Sequence, residues 1–219
     1  MSAKRDFEKM RERILDGALV HVPFDGWSEA SLVGGAKDAG YAPAAALDAF
    51  PGGAPDAIAF ASERADRAML AACERQPGLK EMRLRDRVAA AVRFRLEGSL
   101  REREAIRRAL AYLALPQNAP LGLRLLWRTV DAIWYGAGDS STDFNYYTKR
   151  ALLSGVYSAT LLYWLNDHSP GSAETWRFLE RRLDEALGLP RLASGLRERI
   201  LGLARPGRRT TSGRRRRAV

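Results

Sequence analysis

Cysteine and histidine are scarce in this sequence of 219 residues, which excludes several kinds of site. A single cysteine, Cys73, rules out an internal disulfide and any cysteine-rich zinc or iron–sulfur site. The two histidines, His21 and His168, lie far apart, and neither follows a glutamate by three residues, so the Glu-x-x-His pairs of di-iron bundles are missing. A chain without disulfides fits a reducing compartment, and we expect the protein to be cytoplasmic.

Long uncharged runs and targeting segments are missing as well. The longest uncharged stretch after Arg150 runs from Ala151 to Asn166, which is shorter than the roughly 20 residues that a spanning helix needs. The segment from Lys4 to Arg11 mixes acidic with basic side chains and has no apolar core behind it. It therefore resembles neither a secretory signal nor a transit peptide.

Acidic residues are almost absent from one part of the chain, the C-terminus. Residues 191–219 hold ten arginines against Glu198 alone, a net charge of +9, which leaves +1 of the total of +10 for residues 1–190. The body of the protein is therefore nearly neutral, and the basic character belongs to the tail. From Pro206 onward, Gly, Ser, Thr and Arg dominate, and we expect this end to be disordered.

Apolar residues recur at helical spacing near the N-terminus. One stripe, ended by Pro23 and Gly26, consists of Phe7, Met10, Ile14, Ala18 and Val22. Ser28 can cap a second helix that runs to about Ala39, where Gly40 supplies a left-handed residue. Pro43 suits the first turn of a short third helix ending near Phe50. Two helices joined by a short glycine turn are the signature of a helix-turn-helix unit.

The rest of the sequence also predicts helices, and strand-like alternation does not persist anywhere. The predicted helices are Pro55 to Glu74, one containing Val88, Val92 and Leu96, Arg101 to Leu115, Leu121 to Ala137, Phe144 to Asn166 and Thr175 to Leu187, separated by proline and glycine breaks. The fold class is therefore all-α. We divide the chain into a helix-turn-helix unit (1–53), a helical bundle (54–188) and a basic C-terminal segment (189–219).

Catalytic motifs are missing. Asp167, His168 and Ser169 are adjacent in a turn that ends a helix, and adjacent residues there do not face one another as a catalytic triad must. The glycine pairs Gly34-Gly35 and Gly52-Gly53 follow no strand and lack the Gly-Lys-Ser of a phosphate loop. We therefore expect no enzymatic activity, no cofactor and no bound metal.

The presumed recognition helix, residues 42–50, lacks the chemistry for reading DNA. It has no Arg, Lys, Asn or Gln to contact base edges, and Asp48 would repel phosphate. We interpret the unit as a scaffold packed by Leu47 and Phe50.

Two helices, around residues 121–135 and 151–165, are unusually apolar, and the second is apolar nearly all round. Such a helix must be covered by the core, by a partner chain or by an apolar ligand, and the pattern alone leaves all three open.

An amphipathic stripe lies near the C-terminus. Its apolar residues are Leu189, Leu192, Leu196, Ile200 and Leu203, with Arg199 and Arg205 among the flanking arginines. This pattern is typical of a helix that lies on an anionic membrane, and a solvated cationic tail is the alternative.

The thirteen residues from Gly138 to Arg150, GDSSTDFNYYTKR, resemble the signature of the ninth coenzyme Q biosynthesis protein family. The resemblance covers about residues 8–190. Further similar segments are 14–27, LPQNAP at 115–120, WYGAGD at 134–139, DHSP at 167–170 and TWRFLERR at 175–182. A run of this length is far more specific than a short spacing motif.

The resemblance implies a TetR-like fold, a homodimer and an accessory role in ubiquinone biosynthesis. The bundle would bind an isoprenoid, a quinone intermediate or a phospholipid and present it to the ring hydroxylase of the pathway. The lipid-binding candidates are the apolar side chains of the two helices above: Leu126, Val130, Ile133, Trp134, Leu152, Val156, Tyr157, Leu161 and Trp164.

The resemblance also implies two surfaces. The hydroxylase would bind a patch made of Asp143, Tyr146, Tyr147, Lys149 and Arg150, and the amphipathic C-terminal segment would attach the protein peripherally to the inner membrane. A TetR-type transcriptional regulator that binds DNA and a small apolar effector is the alternative, and the donor-free recognition helix argues against it.

Overall fold

The computed structural model describes residues 2–139 and 145–186. Within these ranges the chain forms nine α-helices, joined by turns and three short 3₁₀ segments, and no strand. The predicted all-α class is therefore confirmed. The helices are α1 (Ser2–Asp25), α2 (Glu29–Asp38), α3 (Ala45–Ala49), α4 (Ala54–Arg75), α5 (Leu84–Glu97), α6 (Arg103–Leu113), α7 (Ala119–Gly136), α8 (Asn145–Leu165) and α9 (173–186).

The start of α2 follows the local chemistry that the sequence predicts. The Ser28 hydroxyl accepts from the Ser31 backbone N–H at 3.3 Å, and the Ser31 hydroxyl accepts from the Ser28 N–H at 3.2 Å. This reciprocal pair satisfies backbone donors that the first helical turn leaves without partners. The helix ends before Gly40, which has a φ of +80°.

Two local predictions were wrong. Pro23 does not stop α1: it lies within the last turn, where it removes one backbone N–H, and the helix ends at Asp25, before Gly26 with a φ of +66°. The third helix begins at Ala45 rather than at Pro43, which lies in a turn.

The first two helices cross at very short range. A Cβ placed on Gly35 would lie 2.3 Å from the Ala18 backbone nitrogen and 2.5 Å from the Ile14 carbonyl oxygen, and one on Gly17 would lie 2.6 Å from the Gly35 carbonyl oxygen. The glycines of α1 and α2 thus let the two backbones touch.

Buried apolar side chains form two clusters. The first joins α1, α2 and α3 to the start of α4, and it includes Ile14, Leu32 and Phe50. The second is formed by the end of α4 with α5, α7, α8 and α9, around Met69 and Trp164. Because α4 contributes to both clusters, a boundary at residue 54 remains a prediction. The predicted amphipathic helix and tail, residues 189–219, lie outside the described residues.

Candidate ligand cavity

A cavity of about 400 Å³ lies between the two apolar clusters. Helices α4, α6, α7 and α8 supply most of its wall, and α1 and α5 contribute one residue each. Most of the lining is apolar and includes Ile58, Ala65, Ile106, Leu110, Leu113 and Leu125. A volume of this size lies within the range of small-molecule binding sites. We call it the central cavity.

Trp27 closes the central cavity on the side of the helix-turn-helix unit. Its indole N–H donates to the Ala105 carbonyl oxygen at 2.9 Å, and both residues line the cavity. This bond connects the turn between α1 and α2 to α6. The N-terminal unit is therefore part of the cavity wall.

The nine predicted lipid-binding residues divide into three groups. Leu126, Tyr157 and Leu161 line the central cavity. Val130, Ile133 and Trp164 are buried in the second cluster, away from the cavity lining. Trp134, Leu152 and Val156 surround a separate void of only about 10 Å³, too small for a lipid. Nine further lining residues come from α4 and α6, which the sequence predicted only as helices.

One end of the cavity is polar and buried. We define this polar end by five residues that line it: Arg95, Ser99, Thr129, Tyr157 and Ser158. Arg95 is only 7% exposed and Tyr157 only 5%. This cluster was not predicted from the sequence, because its members come from α5, the turn that follows it, α7 and α8.

A carboxylate behind the lining neutralises Arg95. Asp66 accepts from Arg95 Nε at 2.7 Å and from the Thr129 hydroxyl at 3.1 Å. Burial raises the pKa of Asp66, while the adjacent guanidinium and hydroxyl act in the opposite direction. The Arg95 Nη1 group also donates to Ser99 Oγ at 3.2 Å.

Tyr157 lies beside this ion pair. Burial raises the pKa of its phenol, which is thus neutral at physiological pH. Among the described residues, no group hydrogen-bonds its hydroxyl, which therefore remains available to a ligand.

The other end of the cavity is apolar and reaches the surface. Leu162 is 56% exposed, Ala114 is also exposed, and both line the cavity. Leu110 and Leu113 lie on the same wall and are partly exposed. The cavity thus changes from a polar interior to an apolar rim.

The predicted hydroxylase patch is exposed only in part. Tyr147 is 70% exposed and stacks on Trp127, with ring centroids 6.4 Å apart. Lys149 is half-buried, 3.3 Å from Asp139. Arg150 is buried, and its guanidinium lies 2.7 Å from Asp131 of α7. Arg150 therefore packs between α7 and α8.

The remaining predicted site residues belong to parts of the chain that the structure does not describe. Asp143 and the side chain of Tyr146 lie outside the described residues. The six predicted membrane-binding residues lie outside them too: Leu192, Leu196, Arg199, Ile200, Leu203 and Arg205. None of the helices in the described ranges has the length and hydropathy needed to cross a bilayer.

In the Asp167-His168-Ser169 segment, Asp167 accepts hydrogen bonds that stabilise the local backbone. Its carboxylate accepts from the Ser169 N–H at 2.8 Å, and from the Thr175 N–H at 2.9 Å and hydroxyl at 2.6 Å. These bonds fix the turn that leads into α9. In the described part of the chain, no group of His, Cys, Asp and Glu residues is arranged to hold a metal ion.

The helix-turn-helix unit presents no base-reading surface on α3. Ala46 and Ala49 are buried, whereas Leu47 and Asp48 are exposed. Phe50 packs in the core as predicted, but the expectation that Leu47 packs there too was wrong: its side chain is 51% exposed. A five-residue helix with an exposed carboxylate is poorly suited to a DNA groove.

Comparisons with known proteins point to a single family. Residues 119–189 match the COQ9 family. The chain is 38% identical over 187 residues to the mitochondrial ubiquinone biosynthesis protein COQ9 of Rattus norvegicus, covering 83% of this chain and 60% of that protein. It is 38% identical to the Homo sapiens protein of the same name, again over 83% of this chain and 59% of that protein.

A fungal relative is shorter. The coq9 protein of Schizosaccharomyces pombe is 31% identical over 185 residues, which make up 84% of this chain and 73% of that protein. The chain spans about three fifths of the length of the animal relatives it matches.

The fold itself has a solved counterpart. The crystal structure of the TetR transcriptional regulator from Nitrosomonas europaea superposes with a TM-score of 0.66, over 82% of this chain and 98% of that chain, at 20% identity. This likeness confirms the predicted TetR-like fold. The sequence identities to the ubiquinone biosynthesis relatives, in turn, show that the chain belongs to the COQ9 family of ubiquinone biosynthesis proteins.

Proposed function

We propose that this protein is a non-catalytic lipid-binding accessory protein of ubiquinone biosynthesis. The observation that carries the proposal is the central cavity of about 400 Å³, largely apolar and open at an apolar rim, in a member of the COQ9 family. Burying an apolar ligand there would remove its surface from water, which is favourable at roughly 25 cal/mol per Å². The ligand class that fits is an isoprenoid or quinone-type lipid.

The same arrangement favours binding over catalysis. Of the charged side chains that line the cavity, Arg95 is paired with Asp66 and Glu102 with Arg64, and no nucleophile–base pair is aligned along the cavity wall in the described residues. The bound lipid would therefore be passed on unchanged, and the pathway hydroxylase is the recipient that the family relationship favours.

A DNA-binding role has less support. The TetR-like fold argues for a common architecture, but the exposed surface of α3 offers Leu47 and Asp48 where a regulator needs hydrogen-bond donors. Fold alone does not carry function. An electrophoretic mobility shift at physiological salt with the upstream DNA of its own gene would reveal a regulator by specific binding at about 10 nM or tighter.

The lipid-binding proposal is tested by filling the cavity. Ala109 lines it on α6, and Ala111 lies two residues later on the exposed side of the same helix. We expect lipid extraction and mass spectrometry to recover an apolar ligand from the wild type and from Ala111→Trp. Ala109→Trp should lose that ligand while keeping a cooperative thermal transition. A wild-type protein that is reproducibly empty and also fails to take up an added apolar lipid would refute the proposal.

Delivery of a lipid to the hydroxylase requires two contacts, one with the hydroxylase and one with the membrane. For the hydroxylase we propose the exposed stack of Tyr147 and Trp127, with Lys149 and Arg150 fixing α8 beneath it. For the membrane we propose residues 189–219, whose net positive charge favours anionic lipid. Deleting that segment should weaken vesicle flotation and leave the fold unchanged.

A further inference from the structure

The second half of α1 is apolar on its outer side as well as on its inner side. Val22 is fully buried and Leu19 lines the central cavity, yet Val20 is 64% and Phe24 82% exposed. Val20 and Phe24 are four residues apart, so they lie on one side of the helix, one turn from each other. Neither belongs to the two apolar clusters. A helix that is apolar all round is normally covered on every side, and we call the uncovered side, Val20 and Phe24, the outer face of α1.

Acidic side chains border the outer face of α1. Asp25 ends the helix and Glu29 begins α2; both are exposed and make no ion pair within the described ranges. Arg108 of α6 approaches the same place, but it donates to a carbonyl oxygen of the last turn of α1 at 2.9 Å and pairs with a glutamate of its own helix. Further back on α1, Asp16 pairs with an arginine of α4, and Arg13 lies two turns before the face. The unpaired charges beside Phe24 are therefore negative, and they favour an occupant that is both apolar and basic.

Residues 189–205 of the same chain have the complementary composition. Their amphipathic stripe of leucine and isoleucine is accompanied by four arginines against Glu198 alone, a net charge of +3. A segment joined to its binding site by the chain also has an effective concentration that a separate partner lacks. The chain's own amphipathic segment is therefore the occupant that the outer face of α1 fits.

The segment is long enough to reach the outer face of α1. It begins three residues after Ala186, where α9 ends. Helix α9 is about 21 Å long, and it starts beside α6, where Arg103 donates to the Ser172 hydroxyl at 3.3 Å. One to two turns further along α6, Arg108 contacts the last turn of α1. As a helix, the 17 residues of the segment would extend about 26 Å, so a segment that turns back along α9 ends near the outer face.

We propose that the outer face of α1 is the docking site for residues 189–205 of the same chain while the protein is in solution. The apolar stripe of the segment covers Val20 and Phe24, and its arginines face Asp25 and Glu29. The same stripe is the proposed membrane contact, and it cannot cover α1 and enter a bilayer at once. Docking therefore competes with membrane attachment. The competition rests on the proposed membrane contact, whereas the docking itself does not.

Disulfide cross-linking of the dilute, full-length protein tests the docking directly. The native cysteine, Cys73, is buried, so an introduced pair supplies the reactive thiols. Val20→Cys with Ile200→Cys should form a disulfide within one chain at least about tenfold faster than Phe7→Cys with Ile200→Cys, because Phe7 lies about 20 Å away along α1. Peptide mass spectrometry identifies the link. Equal rates for the two pairs, or a link that joins two chains, would refute docking within one chain.

Flotation with phosphatidylglycerol vesicles tests the competition. Phe24→Glu removes the larger apolar side chain of the outer face, so the released segment should bind the vesicles about tenfold more tightly. Leu47→Glu adds the same charge at a residue of α3 that is 51% exposed, and this control should bind as the wild type does. In a protein that lacks residues 189–219, Phe24→Glu should have no effect. Unchanged binding by Phe24→Glu in the full chain would overturn the competition, and weaker binding than that of Leu47→Glu would mean that the outer face itself contacts the membrane.

The two measurements separate the docking from the membrane contact. If the link between Val20→Cys and Ile200→Cys forms but the wild type does not bind vesicles, the docking is supported and the membrane contact fails. If the wild type binds vesicles through residues 189–219 but this link forms no faster than the control link, the docking is refuted and the membrane contact stands.

Discussion

Arg95 of α5 and Asp66 of α4 form an ion pair inside the protein, with Nε 2.7 Å from Oδ1. Thr129 of α7 donates to the same carboxylate at 3.1 Å. Three helices therefore meet at one acidic side chain, directly behind the wall of the central cavity. The pair connects the packing of the bundle to the polarity of the site.

Replacing the buried carboxylate should destabilise the fold. Asp66→Asn leaves Arg95 charged and buried without its counterion, which costs about 3 to 5 kcal/mol when one partner of such a pair is removed. Urea denaturation measures the change. Glu63→Gln is the control on the same helix: Glu63 pairs with Arg67 and Arg128 at the surface, where ion pairs contribute about 1 kcal/mol or less. Equal losses in the two variants would contradict a special role for the buried pair.

The crossing of α1 and α2 gives a second prediction. Gly35→Ala would place a Cβ 2.3 Å from the Ala18 nitrogen, so the helices must separate, with an expected loss of about 1 to 3 kcal/mol. Gly155→Ala is the matched control, because a Cβ there meets nothing within 4 Å in α8 and should stabilise by about 0.5 to 1 kcal/mol. Thermal denaturation measures both changes. A lower melting temperature for Gly35→Ala and a higher one for Gly155→Ala would support the close crossing, and an unchanged melting temperature for Gly35→Ala would refute it.

Local chemistry explains which parts of the fold were predictable. Helical spacing, the Ser28 cap and the Gly40 terminus are encoded in adjacent residues, and they appear in the structure as expected. The Gly34-Gly35 pair was visible in the sequence, but only the approach of α1 reveals what Gly35 does. Contact between two helices at glycines depends on the tertiary structure, which a local sequence pattern does not specify.

The cavity was harder to predict for the same reason. Apolar residues that line a cavity and those that fill a core have the same helical spacing, so Leu126 and Val130 could not be separated by pattern. The polar end combines Arg95 of α5 with Tyr157 of α8, two helices that are in contact in the bundle but separated by α6 and α7 along the chain. From the sequence alone, an arginine in α5 would be expected at the surface. Only the tertiary structure shows that Asp66 contacts it and that Thr129 hydrogen-bonds the same carboxylate.

The exposed stack of Tyr147 on Trp127 should bind the hydroxylase. Tyr147→Ala removes a large exposed ring, and we expect at least a tenfold weaker pull-down of the pathway hydroxylase with less than about 1 kcal/mol lost in stability. Phe24→Ala on α1, also strongly exposed, is the control and should retain binding. Equal binding by the Tyr147→Ala variant and the wild type would move the interface elsewhere on the molecule.

The role of Arg150 requires a different test from that of Tyr147. Its guanidinium is buried against Asp131, so Arg150→Glu should lower the melting temperature and reduce pull-down together. Measuring both quantities on the same preparation separates packing from contact. A stable Arg150→Glu variant that loses only hydroxylase binding would assign Arg150 directly to the interface.

Asp167 gives the pH-dependent prediction. Burial raises the pKa of its carboxyl, but hydrogen bonds from Ser169 and Thr175 outweigh that effect and hold the pKa well below its usual range. A depressed pKa means that the folded state favours the charged form, so the stabilisation is complete above the unfolded pKa of about 3.9 and is lost as the pH falls below it. At pH 7, Asp167→Asn should cost about 2 kcal/mol, since these bonds are to a charged acceptor.

The difference between wild type and Asp167→Asn should therefore stay constant from about pH 8 to pH 5 and shrink below about pH 4, because the wild-type carboxyl then takes up its proton more readily in the unfolded chain. Urea denaturation at each pH measures both proteins. Asp48→Asn, an exposed carboxylate on α3, is the control and should show no comparable change. A difference that persists unchanged at low pH would mean that Asp167 stabilises the turn before α9 by shape rather than by charge.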